Sequence, residues 1–183
     1  MLIATSTNIH TQRIVKWLQK AGCEIFLIDE SKPINMDYSQ THFYYYPHWL
    51  SRSKRWGWSR FYRWVGYFQL HYLWRKIKPD IVHLLWIDWK AFHCYRSHLK
   101  PLVITCLGDD INQHFYTGKN PEYYYDGRNS QYGAIKGRAL VWAEHVFADS
   151  RQVIERCNIL AKRSLSSSLL YIGIDTTHFQ PGY

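Results

Sequence analysis

Leu2-Ile3-Ala4-Thr5-Ser6-Thr7-Asn8-Ile9-His10-Thr11-Gln12-Arg13, followed by Gly22 and then Glu24-Ile25-Phe26-Leu27-Ile28, is the stretch that decides the fold. The short apolar run Leu2–Thr5 reads as a strand. Thr11–Ala21 reads as a helix closed by Gly22, and Glu24–Ile28 as a second strand. A strand, a helix and a strand with short connections form the unit from which parallel sheets are built.

The alternation continues outward from that unit. Phe43–Tyr46 reads as a strand, and a helical pattern from about Arg60 to Lys78 is ended by Pro79. Asp80–Trp86 is strand-like, Trp89–Ser97 helical and Leu102–Leu107 strand-like. After a tyrosine-rich stretch come a helix at Ala134–Glu144, a strand at His145–Ala148, a helix at Arg151–Leu160 and a last strand at Ser168–Ile172. The expected class is α/β, a doubly wound and mostly parallel sheet flanked by helices. No internal repeat interrupts it, and the serine-rich piece from Ser164 to Ser168 reads as a loop. Ligands of such sheets sit beyond the carboxyl ends of the strands. The loops that matter are therefore those after Thr5, Trp86, Leu107, Ala148 and Ile172.

The chain has 183 residues, about one domain's worth, and its 46% hydrophobic content argues against disorder. Four separated cysteines without a C-x-x-C pair support neither a metal site nor a disulfide framework, and fit a reducing cytoplasm. The first residues lack the basic and apolar regions of a signal peptide, and no apolar run is long enough to span a bilayer. The net charge of +9 favours anionic partners without choosing among nucleic acid, lipid headgroups and phosphorylated substrates.

Two loops carry candidate chemistry. Asn8, His10, Thr11 and Arg13 surround a helix start, where free N–H groups and the helix dipole attract anions; Asn8 or Thr11 serves equally as the N-cap of a helix without ligand. The glycine-rich dinucleotide fingerprint is absent there. Gly108-Asp109-Asp110 puts two carboxylates at a strand end, where they can accept hydrogen bonds from sugar hydroxyls, bind a metal, or cap the next helix. His83, inside a buried strand, is read as a hydrogen-bonded core residue rather than a catalyst, and His93, His98 and His114 lack metal-site spacing.

Aromatic and basic residues are concentrated together. Between Asp37 and Asp80 lie eight Lys or Arg and no acid. Trp49, Arg52, Lys54, Arg55, Trp56, Trp58, Arg60 and Arg63 form a candidate membrane-surface stretch, since indoles favour the lipid interface and cations favour anionic headgroups. Single-strand nucleic-acid binding requires a similar composition, as does a helix that packs its aromatics on the sheet and turns its cations to water.

Four separated segments resemble one family. Ile9-His10-Thr11-Gln12-Arg13 with Gly22, Pro79-Asp80-Ile81-Val82-His83, Gly108-Asp109-Asp110, and His145-Val146-Phe147-Ala148-Asp149-Ser150 with Gly173-Ile174-Asp175 through Phe179-Gln180-Pro181 resemble, in order, motifs of a family 4 (group 1) glycosyltransferase. The chain departs from the family pattern in lacking a glycine pair in the first loop. It also carries Leu85 where a second histidine is frequent.

The resemblance implies the amino-terminal, acceptor-side half of a B-type, two-Rossmann enzyme. Residues 1–175 would form the Rossmann-like domain and 176–183 the start of a linker to a donor-binding carboxyl-terminal domain outside this chain. It further implies a retaining transfer from a nucleotide-sugar, a UDP- or GDP-sugar held mainly by that second domain, to a glycan or lipid-linked acceptor. The expected setting is the cytoplasmic face of an anionic membrane, with no metal, no other cofactor and no nucleic-acid partner. Asn8, His10, Thr11, Arg13, Gly108, Asp109, Asp110, Ser150 and Gly173 would line the substrate cleft, this half alone would not transfer sugar, and no catalytic base is assigned. A natural subunit of a split transferase and a single-strand nucleic-acid-binding module are the alternatives.

Overall fold

Among the described residues thirteen elements follow one another, twelve of them in the order the hydrophobic periods predict. They are β1 (Leu2–Ile3), α1 (Ile9–Lys20), β2 (Ile25–Asp29), β3 (Thr41–Tyr45), α2 (Trp58–Ile77), β4 (Val82–Leu85), α3 (Trp89–Arg96), β5 (Leu102–Cys106), α4 (Asp109–Asn112), α5 (Arg128–Trp142), β6 (His145–Ala148), α6 (Arg151–Ala161) and β7 (Ser167–Leu169). The computed structural model describes residues 1–5, 7–29, 41–45, 58–112 and 128–171.

The strands form one seven-stranded sheet in the order β3-β2-β1-β4-β5-β6-β7, and every pairing is parallel. The order reverses direction between β1 and β4. That reversal is the topological switch point, the position beyond whose strand ends α/β sheets bind ligands.

Residues of the central strands alternate between two cores, one on each face. Ile3, Ile28, Val82, Leu84, Leu102, Ile104, Cys106, Val146 and Ala148 join a cluster completed by Leu70 and Leu73 of α2, Ala91 and Cys94 of α3, Ala139 and Leu140 of α5, and Val153 and Cys157 of α6. Leu2, Ala4, Ile25, Leu27 and Leu85 point the other way, onto Ile14 and Val15 of α1. Helices thus cover both faces, as a doubly wound Rossmann-like fold requires.

Local signals set the element ends. The Asn8 side chain caps α1 by accepting the His10 amide at 2.8 Å, so Asn8 rather than Thr11 is the N-cap. At the far end Gly22 takes φ +76, with Gly22 N–H donating to Gln19 O at 2.9 Å and Cys23 N–H to Leu18 O at 2.9 Å, the paired bonds of a Schellman ending. Asp88 caps α3 through the Lys90 amide at 2.7 Å, and Ser150 caps α6 through the Val153 amide at 3.4 Å.

Several elements differ from expectation: β7 spans Ser167–Leu169, overlapping the serine-rich piece Ser164 to Ser168 that reads as a loop, and β4 spans Val82–Leu85 rather than Asp80–Trp86. β1 is shorter than Leu2–Thr5, although Ala4 N–H still reaches Ile28 O at 3.1 Å. α5 begins at Arg128, six residues before the expected start, because its polar opening turns lack the apolar period that marks the rest. The four-residue α4 was not anticipated. The tyrosine-rich stretch, the segment from Ile172 onward with Gly173 and the 175/176 boundary, and Trp49, Arg52, Lys54, Arg55 and Trp56 lie outside the described residues, as do the side chains of Trp58, Arg60 and Arg63.

Candidate functional site

The loops after β1, β4, β5 and β6 meet along one rim, and a chain of contacts joins each to the next. Lys90 Nζ, at the start of α3, lies 3.5 Å from Thr5 Oγ1 and 3.8 Å from Asp88 Oδ2. The His10 ring stands edge-on to the Trp86 ring with centroids 6.4 Å apart, so the starts of α1 and of the β4 loop touch. The Asp110 carboxylate accepts the amide of Ile87 at 2.9 Å and that of Leu107 at 3.2 Å. Gly108 lies so close to Asp149 that a Cβ added to it would come within 3.3 Å of Asp149 Oδ2.

Of the expected site residues, the rim gathers Asn8, His10 and Thr11 at the switch point and Gly108, Asp109 and Asp110 beside them. Ser150 follows Asp149, and Arg13 sits half-buried in the first turn of α1. Their surroundings differ. Asp109 is exposed, whereas Asp110 is buried, and both its oxygens are engaged by backbone amides. Asn8 and Ser150 spend their side-chain oxygens on helix caps.

Among the described residues, three polar atoms on this rim are buried without a hydrogen-bond partner: His10 Nδ1, Thr11 Oγ1 and Asp149 Oδ1. A buried polar group left unpaired loses stability of the order of ~1–3 kcal/mol, so such groups are rare away from binding sites. All three stand beside the amino end of α1 or beside the Gly108 turn. Gly108 needs its glycine, because its φ of +86 is a left-handed value that a side chain would strain.

Sequence reading missed several members of the site. Trp86, the residue after β4, takes φ +65, an uncommon backbone for a residue with a side chain, and its ring stands against that of His10. Lys90 and Lys136 are 6% and 4% exposed, and the Lys136 ammonium donates to the Asp110 carbonyl oxygen. Lysines in amphipathic helices read as solvent-facing, and only their fold neighbours reveal them as buried cations.

Burial governs the site's charge. It pushes the Asp110 carboxyl up to about 6, against the opposing pull of the Ile87 amide and the Lys136 ammonium. It likewise raises Asp88 against the pull of Lys90, and lowers Lys136. His83 is half-buried and hydrogen-bonded within the sheet: its Nε2 meets Thr105 Oγ1 at 2.7 Å, and burial brings its pKa down to about 4, keeping the ring neutral. Among the described residues, no three His, Cys, Asp or Glu side chains stand together to hold a metal ion.

The sequence that builds this rim matches a known family. The glycosyl transferase 4-like family pattern matches residues 1–141, from β1 to the last turn of α5. The chain belongs to the glycosyl transferase 4-like family. No curated protein matches the chain. The glycosyl transferase 4-like match covers the loops of Asn8–Arg13, Trp86–Lys90 and Gly108–Asp110; Asp149 and Ser150 lie just beyond it. A glycosyltransferase domain therefore carries the switch-point crevice, with three unpaired buried polar atoms on its edge.

Proposed function

We propose that this domain is the acceptor-side half of a retaining glycosyltransferase, which moves a sugar from a UDP- or GDP-sugar to a glycan or lipid-linked acceptor. One observation carries the reading: the unpartnered His10 Nδ1, Thr11 Oγ1 and Asp149 Oδ1 edge a crevice whose fold family handles sugars. An acceptor is rich in hydroxyl groups that both donate and accept, which is the chemistry those three atoms lack. Asp109, exposed at the start of α4, adds a carboxylate for the same hydroxyls. Asp110, Asn8 and Ser150 act at one remove, holding the loops and helix starts in place.

In the transfer, the acceptor oxygen bonds to the anomeric carbon while that carbon's bond to the diphosphate breaks. The nucleoside diphosphate leaves with the bonding electrons, and the acceptor hydroxyl gives up its proton. Positive charge growing at the ring and negative charge growing on the diphosphate must be stabilised by fixed groups. A donor-binding second domain supplies most of these in this reading, and the amino end of α1, with Arg13 in its first turn, flanks the phosphates.

The test is sugar transfer by this domain joined to its donor-binding domain. His10→Ala and Asp109→Ala are expected to raise the acceptor KM about tenfold, the worth of one or two hydrogen bonds, and to leave the donor KM unchanged. Acceptor KM values within about twofold of wild type for both variants would overturn the site. Tight binding of a nucleotide-sugar by the 183-residue chain alone would overturn its place as the acceptor half.

A further inference from the structure

Helix α2 turns Trp64, Phe68 and Tyr72 outward, 60%, 59% and 62% exposed. At a spacing of four residues they form one stripe about 12 Å long, by the rise of ~1.5 Å per residue. The helix buries a different side, with Gly66, Leu70 and Leu73 packed inward. The outward rings therefore contribute little to the core, and three large exposed aromatics in a row mark an interaction surface.

The charges around the stripe name the partner. Continuing the spacing of four, the row reads Trp64, Phe68, Tyr72, Lys76, with a cation closing the aromatic run at its carboxyl end. Arg75 and Lys76 are exposed in the last turn, and α2 has no acidic residue. Nor is there any acid from Tyr38 to Pro79 to anchor a fixed set of counter-charges. A stripe of Trp, Phe and Tyr running into the exposed cations Arg75 and Lys76 fits an interface where apolar chains meet anionic headgroups.

The rings are poorly arranged for stacking on bases. Trp64 and Phe68 lie at 31° with centroids 6.0 Å apart, and Tyr67 stands edge-on to both at 76° and 74°, so these rings pack on one another as a cluster. Single-strand binders instead offer open faces to successive bases. Among the described residues no helix is long and apolar enough to cross a membrane, so contact would be with the surface.

We propose that the outer face of α2, centred on Trp64, Phe68 and Tyr72, docks the domain on an anionic lipid bilayer. It involves none of the residues assigned to the acceptor site, and it stands or falls separately from sugar transfer. Docking lays the helix along the surface, with the rings among the upper acyl chains and Arg75 and Lys76 at the headgroups.

The experiment is co-sedimentation of the 183-residue chain with phosphatidylcholine vesicles, with and without phosphatidylglycerol. The expected result is binding to the anionic vesicles alone, released as salt shortens the screening length from ~10 Å toward ~3 Å. The triple variant Trp64→Ser/Phe68→Ser/Tyr72→Ser and the double variant Arg75→Glu/Lys76→Glu should each bind about tenfold more weakly, with an unchanged unfolding midpoint. Absence of binding, equal binding to both vesicles, or wild-type binding by the triple variant would overturn the proposal. So would a dimer that the triple variant dissolves, which gives the face to a second copy. Single-stranded DNA binding lost in the triple variant, without vesicle binding, would assign the face to nucleic acid instead.

Discussion

Asp110 Oδ2 accepts the amide hydrogen of Ile87 at 2.9 Å, so a carboxylate on the loop after β5 holds the loop after β4. The other oxygen takes the Leu107 amide, and the residue's own carbonyl takes Lys136. Removing the carboxylate would leave two inward-facing amides unpaired and take a nearby negative charge from the buried Lys136 ammonium, whose bond to the backbone carbonyl would remain. Asp110→Ala is therefore expected to cost about 3 kcal/mol, measured by urea unfolding. A loss below about 1 kcal/mol would mean that the strap is not made in solution.

Asp110 and His83 give opposite pH signatures. The folded Asp110 pKa of about 6 exceeds its ordinary 3.8, so between those values the folded chain keeps a proton that the unfolded chain has lost, and stability falls as pH rises. The folded His83 pKa of about 4 lies below its ordinary 6.5, so there the unfolded chain holds the extra proton, and stability rises with pH. From about pH 4 to 6 the two slopes oppose each other. Relative to wild type, Asp110→Asn should make the stability–pH slope more positive, by at most ~1.4 kcal/mol per pH unit, and His83→Gln should make it more negative by a similar amount. Urea midpoints taken across this range check both signs, and a constant offset for either variant would contradict the assigned titration.

The fold was legible because each strand of the inner sheet is apolar on both faces and each helix on one. Leu2, Leu27 and Leu85 face one core and Ile3, Ile28 and Leu84 the other, a two-residue alternation that reads directly as buried strand. The rim was legible only as a set of loops. Gly108-Asp109-Asp110 offers two neighbouring carboxylates, and nothing local says that the second turns inward to Ile87, 23 residues away. That choice depends on the left-handed Gly108 and on the path of the Trp86 turn, both set by the sheet. Lys90 and Lys136 escaped notice for the same reason: their burial comes from packing between elements, which a helical period does not encode.

Gly137 marks where α5 and α6 approach most tightly. A Cβ there would collide with the backbone carbonyl oxygen of Leu160, which cannot swing aside as a side chain would. Gly137→Ala should cost about 2–3 kcal/mol, outweighing the gain of up to ~1 kcal/mol that alanine brings to a helix interior. Thermal unfolding decides the sign, and a variant as stable as wild type would show that the helices can part without strain.

Asp149 is where stability and binding should separate. Among the described residues its buried Oδ1 has no hydrogen-bond partner, beside the turn at Gly108, and an oxygen so placed costs the fold stability. Asp149→Ala removes that unpaired oxygen without breaking any hydrogen bond seen at it, so the unfolding midpoint should stay level or rise by the equivalent of ~1 kcal/mol. If the oxygen waits for an acceptor hydroxyl, the same variant should bind acceptor about tenfold more weakly. Isothermal titration with an acceptor glycan, run beside thermal unfolding, reads both quantities. A large drop in midpoint would make Asp149 a structural residue, and unaltered binding with raised stability would remove it from the site.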